Sequence, residues 1–350
     1  MRRNLYGFPG KNQIFPLNIQ MPFSITPFME TLKSDMMKND LAESSADLYL
    51  KLLFNLNGKA PFNNLSFLKN TETLNNTINN YAENTKRNYY SAILNALKPL
   101  KDKASYKKTY KYWSDVMAEK TKEHRENKDD QKKSDRQKEN WVEWSEVEKK
   151  ASEMKADTAD AGKKKVITPQ DYDKLLSYLV LSLYVLIPPR RNQDYLDMYV
   201  VKKWSDDMEK DKNYLDLDGK QFVFNIFKTA KKVGQQKVAI PNELMEIVNI
   251  FIKHHPGLKG NKKKAQVVKF LVSSDGSPLT AVNAITRILN RIFGKKVGSS
   301  MLRHIYLSHK YGDKLEEMKE DAEAMAHSLG QQKEYIKVDD LPYDEMEKEE

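Results

Sequence analysis

The segment Thr168–Ile187 constrains the fold more than any other part of the chain. Thr168-Pro169-Gln170-Asp171 is a helix start, with Thr168 as N-cap and Pro169 at the first helical position. From Tyr172 to Ile187 apolar side chains occur nearly all round the helix, so it has no solvent side and must be surrounded by other elements. Its apolar run, Leu175–Ile187, is interrupted by serines and tyrosines, falls short of the ~18 residues a membrane span needs, and ends at Pro188-Pro189. A buried helix of this kind implies a real core, and 350 residues supply material for about two domains.

What surrounds that helix reads as α+β. Tyr214-Leu215-Asp216-Leu217, then Asp218-Gly219, then Gln221 to Phe227 is a hairpin signature. A third strand, Gln236 to Ile240, closes at Pro241, giving a small antiparallel sheet. Helices are expected at Leu244–Ile252, Ala281–Phe293, Met301–Tyr311 and Leu315–His327. Upstream the pattern is all-helical. Pro27 opens a helix with Phe28, Leu32, Met36 and Met37 as its stripe; others run from Ser44 to Leu56, Thr73 to Tyr81 and Thr85 to Leu97. Lys101 to Glu139 is crowded with mixed charge, which suits a long solvated helix or a partly disordered segment. Trp141 and Trp144 suggest a short docking helix, and Ala159 to Lys165 a hinge. The expected layout is an irregular arm at 1–24, a helical domain at 25–120, a charged linker or helix at 121–165, an α+β domain at 166–338 and an acidic tail at 339–350.

The chain has no cysteine, which excludes disulfides, iron–sulfur clusters and thiolate zinc sites. Its six histidines form no His-Glu-x-x-His pair, and no P-loop spacing is present, so neither metal hydrolysis nor ATP chemistry has support; no cofactor is expected. No apolar stretch follows Met1-Arg2-Arg3, so a signal peptide and a membrane partner are not expected either, and the compartment is read as intracellular. The net charge of +10 suits a polyanion partner, or equally a lysine-rich set of solvated helices.

Four local patterns carry chemistry. Pro188-Pro189-Arg190-Arg191-Asn192-Gln193-Asp194 follows the buried helix; it is either an exposed basic loop with a capping Asp or a guanidinium, held by Asp194 three residues on, that grips phosphate oxygens. Phe227-Lys228-Thr229-Ala230-Lys231-Lys232 lies between two strands, where a lysine is a solvated tip or a proton donor. Ser299-Ser300-Met301-Leu302-Arg303-His304 opens a helix whose N–H groups face an anion, with Ser300 and Arg303 three apart on one face. Finally, Met325-Ala326-His327-Ser328-Leu329-Gly330 precedes Tyr335.

The order Arg…Lys…Arg-His…His…Tyr resembles the tyrosine recombinase (phage-type integrase) family. Leu302-Arg303-His304 through Ser308-His309 is similar to that family's Leu-Arg-His-Thr-Phe-Ala-Thr-His segment, and Phe270–Ser273 with Gly276–Thr280 to its strand-turn-helix stretch. Asn84-Thr85-Lys86-Arg87-Asn88-Tyr89 resembles a helix of its core-binding domain. The resemblance implies a helical and a mixed domain clamping duplex DNA. In it Arg191 and Arg303 hold the scissile phosphate, Lys228 is the general acid, Tyr335 the nucleophile that forms a 3′-phosphotyrosine link, and His327 a phosphate donor. Asp194, Ser300 and His304 would be supporting residues; Lys86, Arg87, Arg190, Lys231 and Lys232 would contact DNA. It implies double-stranded DNA as partner, a homo-oligomer (a tetramer in the synaptic complex), and no metal or ATP. A type IB topoisomerase shares this chemistry, and a catalytically weakened DNA-binding protein shares the scaffold. The Lys- and Asn-rich composition suits a mobile-element or large-DNA-virus integrase working in the host nucleus or cytoplasm, or carried in the virion. Two departures stand out: Ser300 sits where the family has His or Lys, and Ala326-His327 replaces Gly-His.

Overall fold

The structure is a computed structural model that describes residues 23–39, 41–129, 133–258 and 268–336, with backbone alone at 124–129 and 333. The expected acidic tail, and all of the expected arm except Phe23 and Ser24, lie outside these residues. The chain divides into two compact units, Met1–Lys132 and Lys133–Glu350.

The first unit is helical: α1 (Pro27–Lys38), α2 (Glu43–Leu56), α3 (Thr71–Asn79), α4 (Glu83–Leu97) and α5 (Ala104–Asp129). Thr26 caps α1 by accepting from the Met29 N–H at 3.2 Å, and Pro27 takes the first helical position, where its missing N–H costs nothing. The face turned inward is Met29, Leu32 and Met36; Met37, expected on the same stripe, is exposed. Most of the charge-crowded segment, Ala104–Asp129, is one continuous helix, α5, and residues 135–139 belong to a second helix. Helix α5 is anchored by the fully buried Trp113, whose indole N–H donates to the Leu68 carbonyl at 3.2 Å, with Tyr106, Tyr110 and Val116 packed beside it.

The second unit contains α6 (Asp135–Asn140), α7 (Trp144–Thr158), α8 (Pro169–Val185), α9 (Asn192–Leu196), β1 (Met198–Val201), β2 (Asn213–Asp216), β3 (Gln221–Phe224), α10 (Ala230–Val233), β4 (Gln236–Ala239), α11 (Asn242–His254), β5 (Val268–Lys269), α12 (Ala284–Phe293), α13 (Ser299–Ala324) and α14 (Leu329–Tyr335). Helix α8 is the hub: ten of its 17 residues are buried, and α7, α11, α12 and α13 pack against it. Tyr195 links α8 to the sheet, its ring 6.1 Å from Tyr184 and 5.9 Å from both Phe222 and Phe224.

The sheet is mixed rather than purely antiparallel. Its order is β4-β3-β2-β1-β5, with β1 and β2 parallel and the remaining pairs antiparallel. Alternation sorts its faces: Met198, Val200, Leu215, Phe222 and Phe224 join the main core, while Val201, Tyr214 and Val223 form a second cluster with Trp204. The β2–β3 turn needs a glycine at 219 for space. A Cβ there would meet the Asp216 carboxylate at 2.3 Å, the same carboxylate that accepts the Gly219 N–H at 3.0 Å.

Three points of the layout differ from the sequence expectation. Helix α7 belongs to the second core through Trp144 and Val147, with Val142 just before it, so the segment expected at 121–165 as one charged linker or helix is divided between the two units. Ala159–Lys165 is no free hinge either: its Ala161 and Gly162 carbonyls are held by His254 at 2.7 Å and Lys253 at 2.6 Å. The two helices expected at Met301–Tyr311 and Leu315–His327 are one, α13, which runs through Gly312 without a break.

Candidate active site

Val185 is the last residue of α8, and the chain then turns through Pro188-Pro189 into the two arginines. These separate sharply. Arg190 donates through Nε to Asp194 at 3.0 Å and through Nη1 to Gln236 at 2.9 Å, and its guanidinium lies 3.8 Å from the Phe224 ring centroid. Paired and stacked in this way, Arg190 ties the turn to the sheet. This corrects one expectation: Asp194 is the ion-pair partner of Arg190 rather than of Arg191.

Arg191 is the N-cap residue of α9, half-buried, and its side chain takes no capping bond. Arg303 lies in the second turn of α13, half-buried, with Nε 3.4 Å from the Ser299 carbonyl. Burial, and then the Arg191 charge beside it, lower the Arg303 pKa; Tyr184 and Asp194 pull the other way. The Asp194 carboxyl is pushed up by burial against the pull of Arg190 and Arg191, and its second oxygen is buried without a hydrogen bond. Among the described residues no carboxylate forms an ion pair with Arg191 or Arg303. Two like charges thus stand close enough to disfavour one another in a partly desolvated site, an arrangement that an anion between them relieves. The α13 N-terminus beside them, opened by Gly298, carries no side-chain cap.

A second group forms at the far end of α13. Ala326 has φ +55° and completes a Schellman turn: the His327 N–H donates to Ala322 O and the Ala326 N–H to Glu323 O, both at 3.0 Å. That turn sets the His327 ring, which stands 5.7 Å from the Tyr335 ring; its Nε2 is buried without a partner. Ser328 caps α14 by accepting from the Gln331 N–H at 3.2 Å, and Tyr335, the last residue of α14, is 65% exposed.

The other expected residues are dispersed. Lys228 is exposed in the β3–β4 connection, and Lys231 and Lys232 are exposed on α10. Ser300 and His304 are exposed on α13. In the first unit, Lys86 pairs with Glu83 at 2.6 Å, and the Arg87 Nε is buried without a partner. Among the described residues no hydrogen bond or ion pair joins Lys228 or Tyr335 to either arginine, and no three His, Asp or Glu side chains converge as metal ligands. No described helix is long and apolar enough to cross a membrane.

Sequence reading overlooked the polar chain that follows Arg191, formed by Tyr184, Asn192 and Thr286. The one available signal is Tyr184 itself, a phenol in an otherwise apolar helix that requires a partner.

No protein-family model matches the chain, and no curated protein does. Among solved structures it is similar to the crystal structure of XerA recombinase at 12% identity, with a TM-score of 0.32, over 89% of this chain and 94% of that one.

Proposed function

We propose that the chain cuts and rejoins DNA through a covalent phosphotyrosine intermediate, as a tyrosine recombinase does. The observation that carries this reading is the Arg191–Arg303 pair: two guanidinium groups whose charges act on one another, neither ion-paired with a carboxylate among the described residues, Asp194 being taken by Arg190. Such a pair suits the two non-bridging oxygens of a phosphodiester and the extra charge of its transition state. Tyr335 would attack phosphorus and the bond to the 5′ oxygen would break, with Lys228 supplying the proton to that oxygen. His327, in ring contact with Tyr335, would take the phenol proton. The link conserves the phosphodiester's energy, so rejoining is the reverse step. Lys231, Lys232, Lys86 and Arg87 remain candidates for the DNA backbone, and the homo-oligomeric synapse of the family is the expected assembly.

The test is a nicked suicide duplex and denaturing gel electrophoresis. The wild type should form a denaturant-resistant adduct and Tyr335→Phe should form none while still binding DNA. Arg191→Ala and Arg303→Ala should each slow adduct formation by ~100-fold or more, since one oxyanion donor is worth about 2.7–4 kcal/mol. A Tyr335→Phe protein that still forms the adduct moves the nucleophile elsewhere, Tyr343 first. A wild type that binds DNA and forms no adduct on any substrate reduces the protein to a DNA-binding relative.

A further inference from the structure

We propose that Tyr184 is a positioning residue that sets the spacing of the two arginines; this inference rests on the phosphate-binding reading of the pair. Tyr184 lies in the last turn of α8, fully buried, one turn before the Pro188-Pro189 break. Its hydroxyl is 2.9 Å from Asn192 Oδ1. The orientation of that amide is fixed from its other side, because Asn192 Nδ2 faces the Val282 carbonyl at 3.4 Å, which can only accept, and Thr286 Oγ1 at 2.9 Å. Asn192 Oδ1 is therefore the acceptor and the Tyr184 phenol the donor. Burial pushes the Tyr184 pKa well up, and Ser299 and the Arg303 charge pull it the other way.

The chain of hydrogen bonds from Tyr184 through Asn192 to Thr286 thus joins α8, α9 and α12. Asn192 is the residue after Arg191, and Ser299 is the first residue of α13 and offers its carbonyl to Arg303. The same chain of bonds meets α13: a Cβ at Gly298 would meet the Thr286 methyl at 3.3 Å, so the α13 N-terminus sits against the side chain that holds Asn192. Neither arginine has a carboxylate to fix it among the described residues, so what orients the pair is the backbone on which each is mounted. That backbone is pinned through Tyr184. Its phenol reaches neither the substrate nor the chemistry, which distinguishes it from the arginines.

The experiment compares Tyr184→Phe and Ser299→Ala with Tyr172→Phe. Tyr172 lies on the same helix and also loses one buried hydrogen bond, to the Val272 carbonyl at 3.3 Å, but at a place away from the arginines. Three quantities are measured: the urea midpoint, the affinity for inorganic vanadate as a phosphate-like probe, and the single-turnover adduct rate on a nicked duplex at saturating DNA. Tyr184→Phe and Ser299→Ala should lower vanadate affinity and slow the adduct rate by about tenfold or more with duplex affinity unchanged, the scale expected when a reacting constellation is displaced by a fraction of an ångström. Tyr172→Phe should lose comparable stability and leave rate and vanadate affinity unchanged. If Tyr184→Phe fails to fold, Ser299→Ala carries the comparison. Wild-type vanadate affinity and rate in both variants overturn the inference. Failure of the wild type to form any adduct strikes instead at the proposed activity, and vanadate affinity then judges the positioning role alone.

Discussion

At Ala326 the backbone is left-handed, φ +55°, in the one position of a Schellman turn that glycine fills without strain. An L-residue there loses about 1–2 kcal/mol to the contact of Cβ with its own carbonyl. Ala326→Gly should therefore raise stability by about 1 kcal/mol after the added freedom of the unfolded chain is subtracted, read as a higher urea midpoint. A lower midpoint would mean the turn is not formed in solution. The substitution also restores the Gly-His pair that the resemblance noted in the sequence would lead one to expect here. The arginine turn was less legible. Asp194 stands three residues from Arg191 and four from Arg190, and both spacings permit a pair. What decides between them is Phe224 and Gln236, which reach the turn only through the sheet.

Among the elements, α8 was legible because a helix apolar on all sides has one place to go, and the Thr168 cap with Pro169 marks its start. The β2–β3 hairpin was legible for a similarly local reason. Strand β1 was not: it has four residues, and its parallel partner lies beyond an intervening loop, so nothing within it announces the pairing. Helix α13 shows the opposite failure. Gly312-Asp313 reads as a break, yet the helix continues, because packing of Met301, Leu302 and Ile305 at one end and Ala322 at the other holds both halves. A Cβ added at Gly312 would meet nothing within 4 Å. Gly312→Ala should thus stabilise the protein by about 0.5–1 kcal/mol and raise its helical circular-dichroism signal slightly. Loss of helical signal or of stability would show that the chain does break there, separating the arginine end of the helix from the His327 end.

For the molecule as a whole, stability should depend on pH through one buried imidazole. His255 follows α11, with its Nε2 3.0 Å from the Lys269 carbonyl of β5 and its Nδ1 accepting the Gly257 N–H at 3.1 Å. A ring that accepts through one nitrogen and donates through the other is neutral, so protonation must break the Gly257 bond. Burial lowers the His255 pKa below its ordinary value of 6.5, against the pull of the Lys269 and Phe270 carbonyls. The folded state therefore resists the proton that the unfolded state accepts. The stabilising contribution is fully present above pH 6.5 and is lost as pH falls below that value toward the folded pKa. Other groups also titrate, and the net charge of +10 grows more positive in acid, so a fall in stability from pH 7.5 to 5.5 does not by itself identify this residue. The comparison with His255→Gln does. Glutamine cannot take the proton, so that variant should start less stable at pH 7.5 and lose less on acidification, as measured by urea unfolding at both pH values. Equal losses in the two proteins would place the acid sensitivity elsewhere. The effect belongs to the second unit as a whole, because His255 joins the end of α11, which packs on α8, to the edge strand of the sheet that carries Phe224 beneath Arg190.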